Sequence, residues 1–133
     1  MSIARLLQDW LEGWNTRDVD RIMRHYAEDA TFTSPTVLLH RTDQDGVLRG
    51  KAAIRDSYRR RLEQFPNLRF ELEDVIERPY GVVVLYRKLG LYVKNPGLTV
   101  EVFGLENGLV RDNVVYWGVE EVASQFRPRT APP

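Results

Sequence analysis

The second half of the chain consists of four strand-length segments separated by tight turns, and this pattern constrains the fold more than any other feature of the sequence. Each segment is rich in β-branched and aromatic residues, and the turns between them carry Gly, Pro or Asn. The segments cover residues 68–76, 82–93, 98–105 and 109–120. Strands joined by such short turns pair with their neighbours in sequence. The pattern therefore predicts a four-stranded antiparallel meander.

Three amphipathic helices are predicted ahead of this meander. The first carries apolar residues every three or four positions over residues 3–14, and a second, shorter helix begins at the N-cap Asp18. Gly50 opens the third helix, and Pro66 ends it. Helices that precede an antiparallel sheet pack over one of its faces. We therefore expect an α+β protein in which a curved sheet surrounds the helices and leaves a cavity.

The region between the second and third helices has weaker signals. Residues 31–34 favour a short strand that stops at Pro35, and residues 36–49 follow no clear period, which predicts a long loop. With 133 residues the chain has the length of one domain, which we place at residues 1–126. Residues 127–133 contain three prolines and two arginines and are expected to form a disordered C-terminal tail.

The composition excludes several classes of partner and site. Nineteen basic and nineteen acidic side chains cancel, so no field attracts phosphate backbones or anionic lipids, and we expect neither a nucleic-acid nor a membrane partner. No segment is apolar over the length of a membrane span. The absence of cysteine fits a reducing cytoplasm, which is the expected localisation. No metal-binding, nucleotide-binding or serine-esterase motif occurs, so neither a metal nor a cofactor is expected.

Three segments carry a resemblance to a known family. They read WNTRDVDRIMRHYAEDATFTSP, GKAAIRDSYRRRL and ENGLVRDNVVYW. On these segments the sequence resembles the SnoaL-like and ketosteroid-isomerase-like branch of the nuclear transport factor 2 superfamily, over about residues 3–120. The resemblance implies a cone-shaped curved antiparallel sheet wrapped around three N-terminal helices, a deep apolar pocket and a homodimer. That fold hosts several activities and some members without chemistry, so function has to come from the site.

The resemblance to ketosteroid isomerases implies that their catalytic set is lost. The catalytic aspartate before the proline of the first short strand corresponds to Ser34. The two groups that hold the oxyanion correspond approximately to Trp10 and Leu98, and neither donates in the same way. Two supporting tyrosines look retained as Tyr26 and Tyr58. We expect both to be buried rings whose hydroxyls need partners, or alternatively donors to a ligand.

Arg87 is the candidate for a surviving catalytic position. It matches the arginine of the Asp–Arg–Asp set in limonene epoxide hydrolases, which this family resemblance brings in, whereas both aspartates are absent. Arg87 also interrupts an otherwise apolar row of its strand. Either it faces the pocket and orients a ligand oxygen, or it lies outside and pairs with an acid on a neighbouring strand, namely Glu71, Glu73 or Glu101.

The two histidines receive different interpretations. His40 lies in the predicted loop near the pocket mouth and is the only candidate acid or base with an ordinary pKa near neutrality, although a surface loop histidine is the preferred interpretation. His25 is expected to face solvent.

The remaining candidates line the pocket. The resemblance directs the face of the last strand that carries Asn113 and Trp117 toward the pocket. Trp10, Trp14 and Trp117 are expected to pack in the core, and they form a ligand wall if the pocket is open.

These observations leave two functions open. The first is a cofactor-free isomerase, lyase or hydrolase that binds a small apolar or oxygenated ligand. The alternative is a non-catalytic ligand-binding or protein-interaction module with a vestigial pocket. In either case we expect a homodimer formed through aromatic residues on the outer face of the meander, which are Tyr86, Tyr92, Phe103 and Tyr116.

Overall fold

The computed structural model describes residues 2–40, 45–91 and 97–118. The tail predicted at residues 127–133 lies outside these ranges. The helices are α1 (Ile3–Asn15), α2 (Val19–Met23), α3 (Pro35–His40) and α4 (Lys51–Gln64). The strands are β1 (Tyr26–Thr33), β2 (Val47–Arg49), β3 (Arg69–Arg78), β4 (Gly81–Leu89), β5 (Leu98–Glu106) and β6 (Leu109–Tyr116). No helix within the described ranges combines the length and the apolar character needed to cross a membrane.

The six strands form one sheet in the order β2-β1-β6-β5-β4-β3. Strands β3 to β6 form the predicted antiparallel meander, which confirms the α+β class. Strand β1 adds to this meander by pairing in parallel with β6, and Phe32 lies opposite Asn113. Among the described strands, the first and the last in sequence are therefore neighbours in the interior of the sheet.

The segment predicted as a loop contains two ordered elements. Pro35 begins helix α3 instead of only ending the strand, because proline fits the first turn of a helix, where no backbone N–H is needed. Strand β2 pairs with β1, with Arg49 opposite Thr31. A three-residue strand has too few positions to show a period, so its partner strand determines it.

Helix α1 packs its apolar side into an aromatic core. The Ser2 side chain caps the helix by accepting from the Arg5 N–H at 3.2 Å. The fully buried Trp10 packs against three rings of the sheet, with centroid distances of 5.3–5.5 Å to Phe70, Tyr86 and Phe103. The expectation that Tyr86 and Phe103 lie on the outer face is thus wrong. Of the other two residues named with them, Tyr116 is exposed and Tyr92 lies outside the described ranges.

A buried carboxylate joins α1 to α2 and to the start of β1. The Asp9 side chain is 2% exposed, and it accepts from Arg21 Nε at 3.1 Å and lies 2.6 Å from His25 Nε2. The bond with His25 lowers the pKa of Asp9 to about 2, with help from Arg21 and Arg24 and against the effect of burial. The expectation that His25 faces solvent is wrong, because its side chain is only 13% exposed and serves this buried acid.

Candidate functional site

A cavity of about 40 Å³ lies between α1, α4 and the inner face of the sheet. The inner face is the one packed against the helices. Aromatic rings form much of the cavity wall, and they belong to Trp14, Phe32, Phe70 and Tyr86. The polar side chains that line it are Ser34, Thr36, Ser57, Tyr58, Arg61, Lys88 and Glu101. An apolar wall with a few convergent polar groups is typical of small-molecule sites.

The inner face of β4 and β5 supplies the charged pair of the cavity. Lys88 and Glu101 are both at least 96% buried, whereas lysine and glutamate are rarely buried without function or partners. Lys88 Nζ lies 5.3 Å from the centroid of the Trp117 ring, within reach of a cation–π interaction. The positive charge of Lys88 also acts on Glu101, whose pKa it lowers. The cavity wall thus contains a cation and an acid in an apolar surrounding.

Glu101 is held by two hydrogen-bond donors. The Tyr86 hydroxyl donates to Oε1 at 2.7 Å, and Asn113 Nδ2 donates to Oε2 at 3.0 Å. Burial raises the pKa of Glu101 to about 6, against the opposing effects of these two bonds and of Lys88. Near neutral pH such a group can both accept and release a proton. It is the acid–base candidate of the cavity.

A tyrosine pair extends this network. The Tyr26 hydroxyl donates to Asn113 Oδ1 at 2.7 Å, and the Tyr58 hydroxyl lies 3.1 Å from the same oxygen and 3.0 Å from the Tyr26 hydroxyl. Burial raises the pKa of both tyrosines well above their ordinary value, so they stay neutral hydrogen-bonding groups. Tyr58 lines the cavity and Tyr26 lies behind it. A ligand oxygen beside Tyr58 would therefore meet a hydroxyl already linked through Asn113 to Glu101.

Most of the predicted pocket residues converge on this cavity. Trp14, Ser34 and Tyr58 line it, and Tyr26 and Asn113 form the buried network behind it. The Ser34 hydroxyl oxygen accepts from the Thr36 N–H at 3.2 Å. Trp10 packs in the core and does not contribute to the lining, in agreement with the simpler of its two interpretations. Trp117 is half-buried and reaches the site only through its contact with Lys88.

Arg87 and Leu98 do not face the cavity. They lie opposite each other on the outer face of β4 and β5, and Arg87 Nε donates to Glu73 at 2.8 Å. The pocket placement of both residues is therefore wrong, and Arg87 has the partner that the alternative interpretation named. The alternation was misjudged because β4 carries apolar residues on both faces, so the row that contains Arg87 looked like the buried one. The side chain of His40 lies outside the described part of the chain.

Sequence reasoning missed Lys88 and Glu101 as site residues. The alternation in β5 gives a misleading signal, because Thr99, Glu101 and Phe103 alternate with the wholly apolar row of Leu98, Val100 and Val102. An apolar row beside a polar row favours burial of the apolar one. Here the opposite holds, since Thr99, Glu101 and Phe103 are all buried. Among residues 2–40, 45–91 and 97–118, no group of three metal-ligating side chains comes together.

The comparisons with known proteins agree with this geometry at the level of the fold. The family described as SnoaL-like domain matches residues 7–113. None of the curated proteins compared with the chain matches it.

Several solved structures resemble the protein. A SnoaL-like protein of unknown function from Burkholderia thailandensis is 27% identical, with a TM-score of 0.74 over 88% of this chain and 98% of that one. A nuclear transport factor 2-like protein of unknown function from Burkholderia pseudomallei is 19% identical, with a TM-score of 0.76 over 96% and 100%. A proposed polyketide cyclase from Sinorhizobium meliloti is 14% identical, with a TM-score of 0.69 over 84% and 93%.

Proposed function

Since this chain belongs to the SnoaL-like family, we propose that its cavity binds a small oxygenated molecule and that Glu101 transfers a proton to or from it without a cofactor. The observation that carries the proposal is the position of Glu101, a buried carboxyl group with a pKa of about 6 in the wall of the cavity. Isomerisation, elimination and hydrolysis of a carbonyl compound all need such a group.

The other polar groups of the cavity have complementary roles in this proposal. Lys88 stabilises negative charge on the ligand oxygen when a neighbouring carbon loses its proton. The Tyr58 hydroxyl donates its own proton to Asn113 Oδ1, so toward a ligand it acts as an acceptor. Tyr86 and Asn113 fix the carboxyl group of Glu101, so one lone pair of each oxygen stays available toward the cavity. Trp14 and Phe70 exclude water on the apolar side. A solved structure described as a proposed polyketide cyclase shares the fold at 14% identity and offers an analogy for carbonyl chemistry.

Exchange of ketone α-protons for deuterium tests the proposal directly. We expect the protein to accelerate exchange in butanone dissolved in D₂O, as observed by proton NMR, with a rate that rises through pH 6 as Glu101 ionises. Glu101→Gln should lower the rate by about 10²–10⁴. Glu73→Gln is the matched control, because Glu73 pairs with Arg87 on the outer face. Equal rates in both variants would contradict a role for Glu101.

The small size of the cavity favours a second candidate, a non-catalytic ligand-binding or protein-interaction module. About 40 Å³ accommodates a few water molecules at about 10–15 Å³ each, and aromatic rings take up much of the surrounding wall. Absence of exchange in the wild-type protein, across small ketones, would favour this module over an enzyme.

A homodimer is part of the proposal and rests on the outer face of the sheet. We define the outer face by its apolar residues Leu85, Val100, Val102, Val114 and Tyr116. These residues are partly or largely exposed, while the polar row of β5 points inward. Apolar surface of this kind on a sheet is typical of an interface, and a second copy presents a matching apolar face.

A further inference from the structure

A second cavity of about 60 Å³ adjoins the first on the side of helices α3 and α4. The two share three lining residues, Thr36, Ser57 and Arg61, so they lie side by side and form the two ends of one candidate site. The inner end carries Glu101 and Lys88. The outer end, which we call the mouth, carries Arg60, Arg61 and Gln64 beside Val37 and Leu48.

The mouth is positively charged, although the whole chain is neutral. Helix α4 carries five basic and two acidic residues, and two of the basic ones line the mouth. Arg60 keeps a solvent-exposed pair with Asp56 at 3.0 Å, and exposed pairs contribute little. Arg61 is half-buried, with its guanidinium carbon 4.9 Å from the centre of the Phe65 ring, which fixes its position. The forked donors of arginine bind a carboxylate in two places at once.

We propose that the mouth is an acid-binding subsite, and that the ligand is a small oxo acid with its carboxylate at Arg61 and its carbonyl oxygen at the inner end. This inference rests on the proposed function for the inner end only. The hydroxyls of Thr36 and Ser57 lie between the two ends and serve the middle of the ligand. The aromatic wall holds the carbon chain. Selectivity for an acid over a neutral ketone would then come from helix α4.

Binding of matched acid and ester probes tests the subsite. The probes are levulinate and methyl levulinate, together with their longer straight-chain homologues, measured by isothermal titration calorimetry. We expect the wild-type protein to bind the acid about tenfold or more tightly than the ester, the effect of one charged hydrogen-bonded group. High salt should reduce this preference and leave ester binding unchanged.

Variants on one helix locate the preference. Arg61→Met keeps the apolar stem and should make the affinities for acid and ester equal. Arg59→Met is the control, because Arg59 pairs with Asp56 on the same helix and lines neither cavity. If Arg61→Met is too unstable to measure, the salt dependence of the wild-type preference decides. Equal wild-type affinities, no binding of any acid in the series, or the same loss in both variants overturns the subsite.

The subsite and the proton transfer can fail separately. Glu101→Gln should abolish ketone exchange while it preserves the preference for acid over ester. An acid preference without exchange would leave the mouth subsite standing and remove the proposed catalysis. Exchange of neutral ketones without a preference for the acid would remove the mouth subsite and leave the proposed catalysis standing.

Discussion

Asn113 donates from Nδ2 to Glu101 Oε2 at 3.0 Å while its own Oδ1 accepts from Tyr26 at 2.7 Å. One amide therefore connects a buried acid to a buried hydroxyl, and reversing the amide would place Oδ1, an acceptor, against the acceptor oxygen Oε2 of Glu101. Asparagine suits this position because its amide offers an acceptor and a donor on separate atoms of one short side chain.

Replacement of this amide should destabilise the protein. Asn113→Leu leaves Glu101 and the two tyrosine hydroxyls without a shared partner, and each buried group left unpaired costs about 1–3 kcal/mol. We expect the free energy of unfolding to fall by about 3 kcal/mol in urea denaturation. Tyr26→Phe, which removes a single hydroxyl, should cost less. A loss for Asn113→Leu no larger than that for Tyr26→Phe would contradict the network.

The raised pKa of Glu101 predicts how stability depends on pH. Its pKa rises from 4.5 in the unfolded chain to about 6 in the folded protein, so the folded state binds more protons between these values. This group should therefore reduce stability by up to about 2 kcal/mol as the pH rises from 4.5 to 6, with no further change above. Denaturation of Glu101→Gln across this window should lack that decrease, whereas an identical pH dependence in both proteins would place the pKa of Glu101 at its ordinary value.

The pKa of Asp9 is shifted in the opposite direction, so its effect on stability changes with pH in the opposite sense. Its pKa is lowered from 3.8 to about 2, so its stabilising contribution is complete above pH 4 and is lost as the pH falls toward 2. Asp9→Asn should lower the free energy of unfolding by about 2 kcal/mol at neutral pH, less than for a fully buried pair because its arginines remain partly solvated. Asp45→Asn, at an exposed pair with Arg49, should change stability much less than Asp9→Asn does. Similar losses in the two variants would mean that Asp9 acts as a surface charge.

Two glycines with positive φ allow the cost of backbone strain to be distinguished from the cost of a steric clash. Gly90 and Gly50 have φ of +82° and +96°, so alanine is strained at both, at a cost of about 1–3 kcal/mol. A Cβ on Gly90 would also lie 2.0 Å from the carbonyl oxygen of Asn67, whereas at Gly50 no described atom lies within 4 Å. Thermal unfolding should therefore show a clearly larger loss for Gly90→Ala than for Gly50→Ala. Equal losses would show that the turn at Gly90 relaxes freely.

The proposed homodimer depends on the outer face. Val100 lies opposite Leu85 and Tyr116 across its neighbouring strands, at the middle of that face. Val100→Glu places a charge there and should convert a dimer of twice the 15.5 kDa chain into a monomer in sedimentation experiments. Leu38→Glu, on an exposed position of helix α3, should leave the dimer intact. A wild-type monomer at micromolar concentration would remove this part of the proposal.

The parts of the fold that the sequence predicts are those with a strong local period. Trp10 and Trp14 mark the buried side of α1, and the glycine turns delimit the meander. Strand β2 is too short to show a period of its own and is determined by its pairing with β1. The parallel pairing of β1 with β6 joins distant segments and leaves no local pattern in the sequence.

The candidate site is predicted less completely than the fold. Tyr26, Tyr58 and Asn113 follow from the family resemblance, and they meet in the structure. The inner face of strands β4 and β5 could not be identified from the sequence. Strand β4 is apolar on both faces, and the wholly apolar row of β5 lies on the outer face. Assigning the wrong face selected Arg87 and overlooked its neighbour Lys88.

The position of β6 beside β1 has a consequence for how the protein is made. Tyr26 and Asn113 are separated by 87 residues, so the network behind the cavity stays incomplete until β6 has been synthesised. Until then β1 lacks its parallel partner, whereas the rings that pack against Trp10 are already present because they come from β3, β4 and β5. Contacts between such distant residues slow folding, because the intervening chain has to be ordered first. The hydrogen-bond network behind the cavity is therefore completed only when the strand that carries Asn113 pairs with β1.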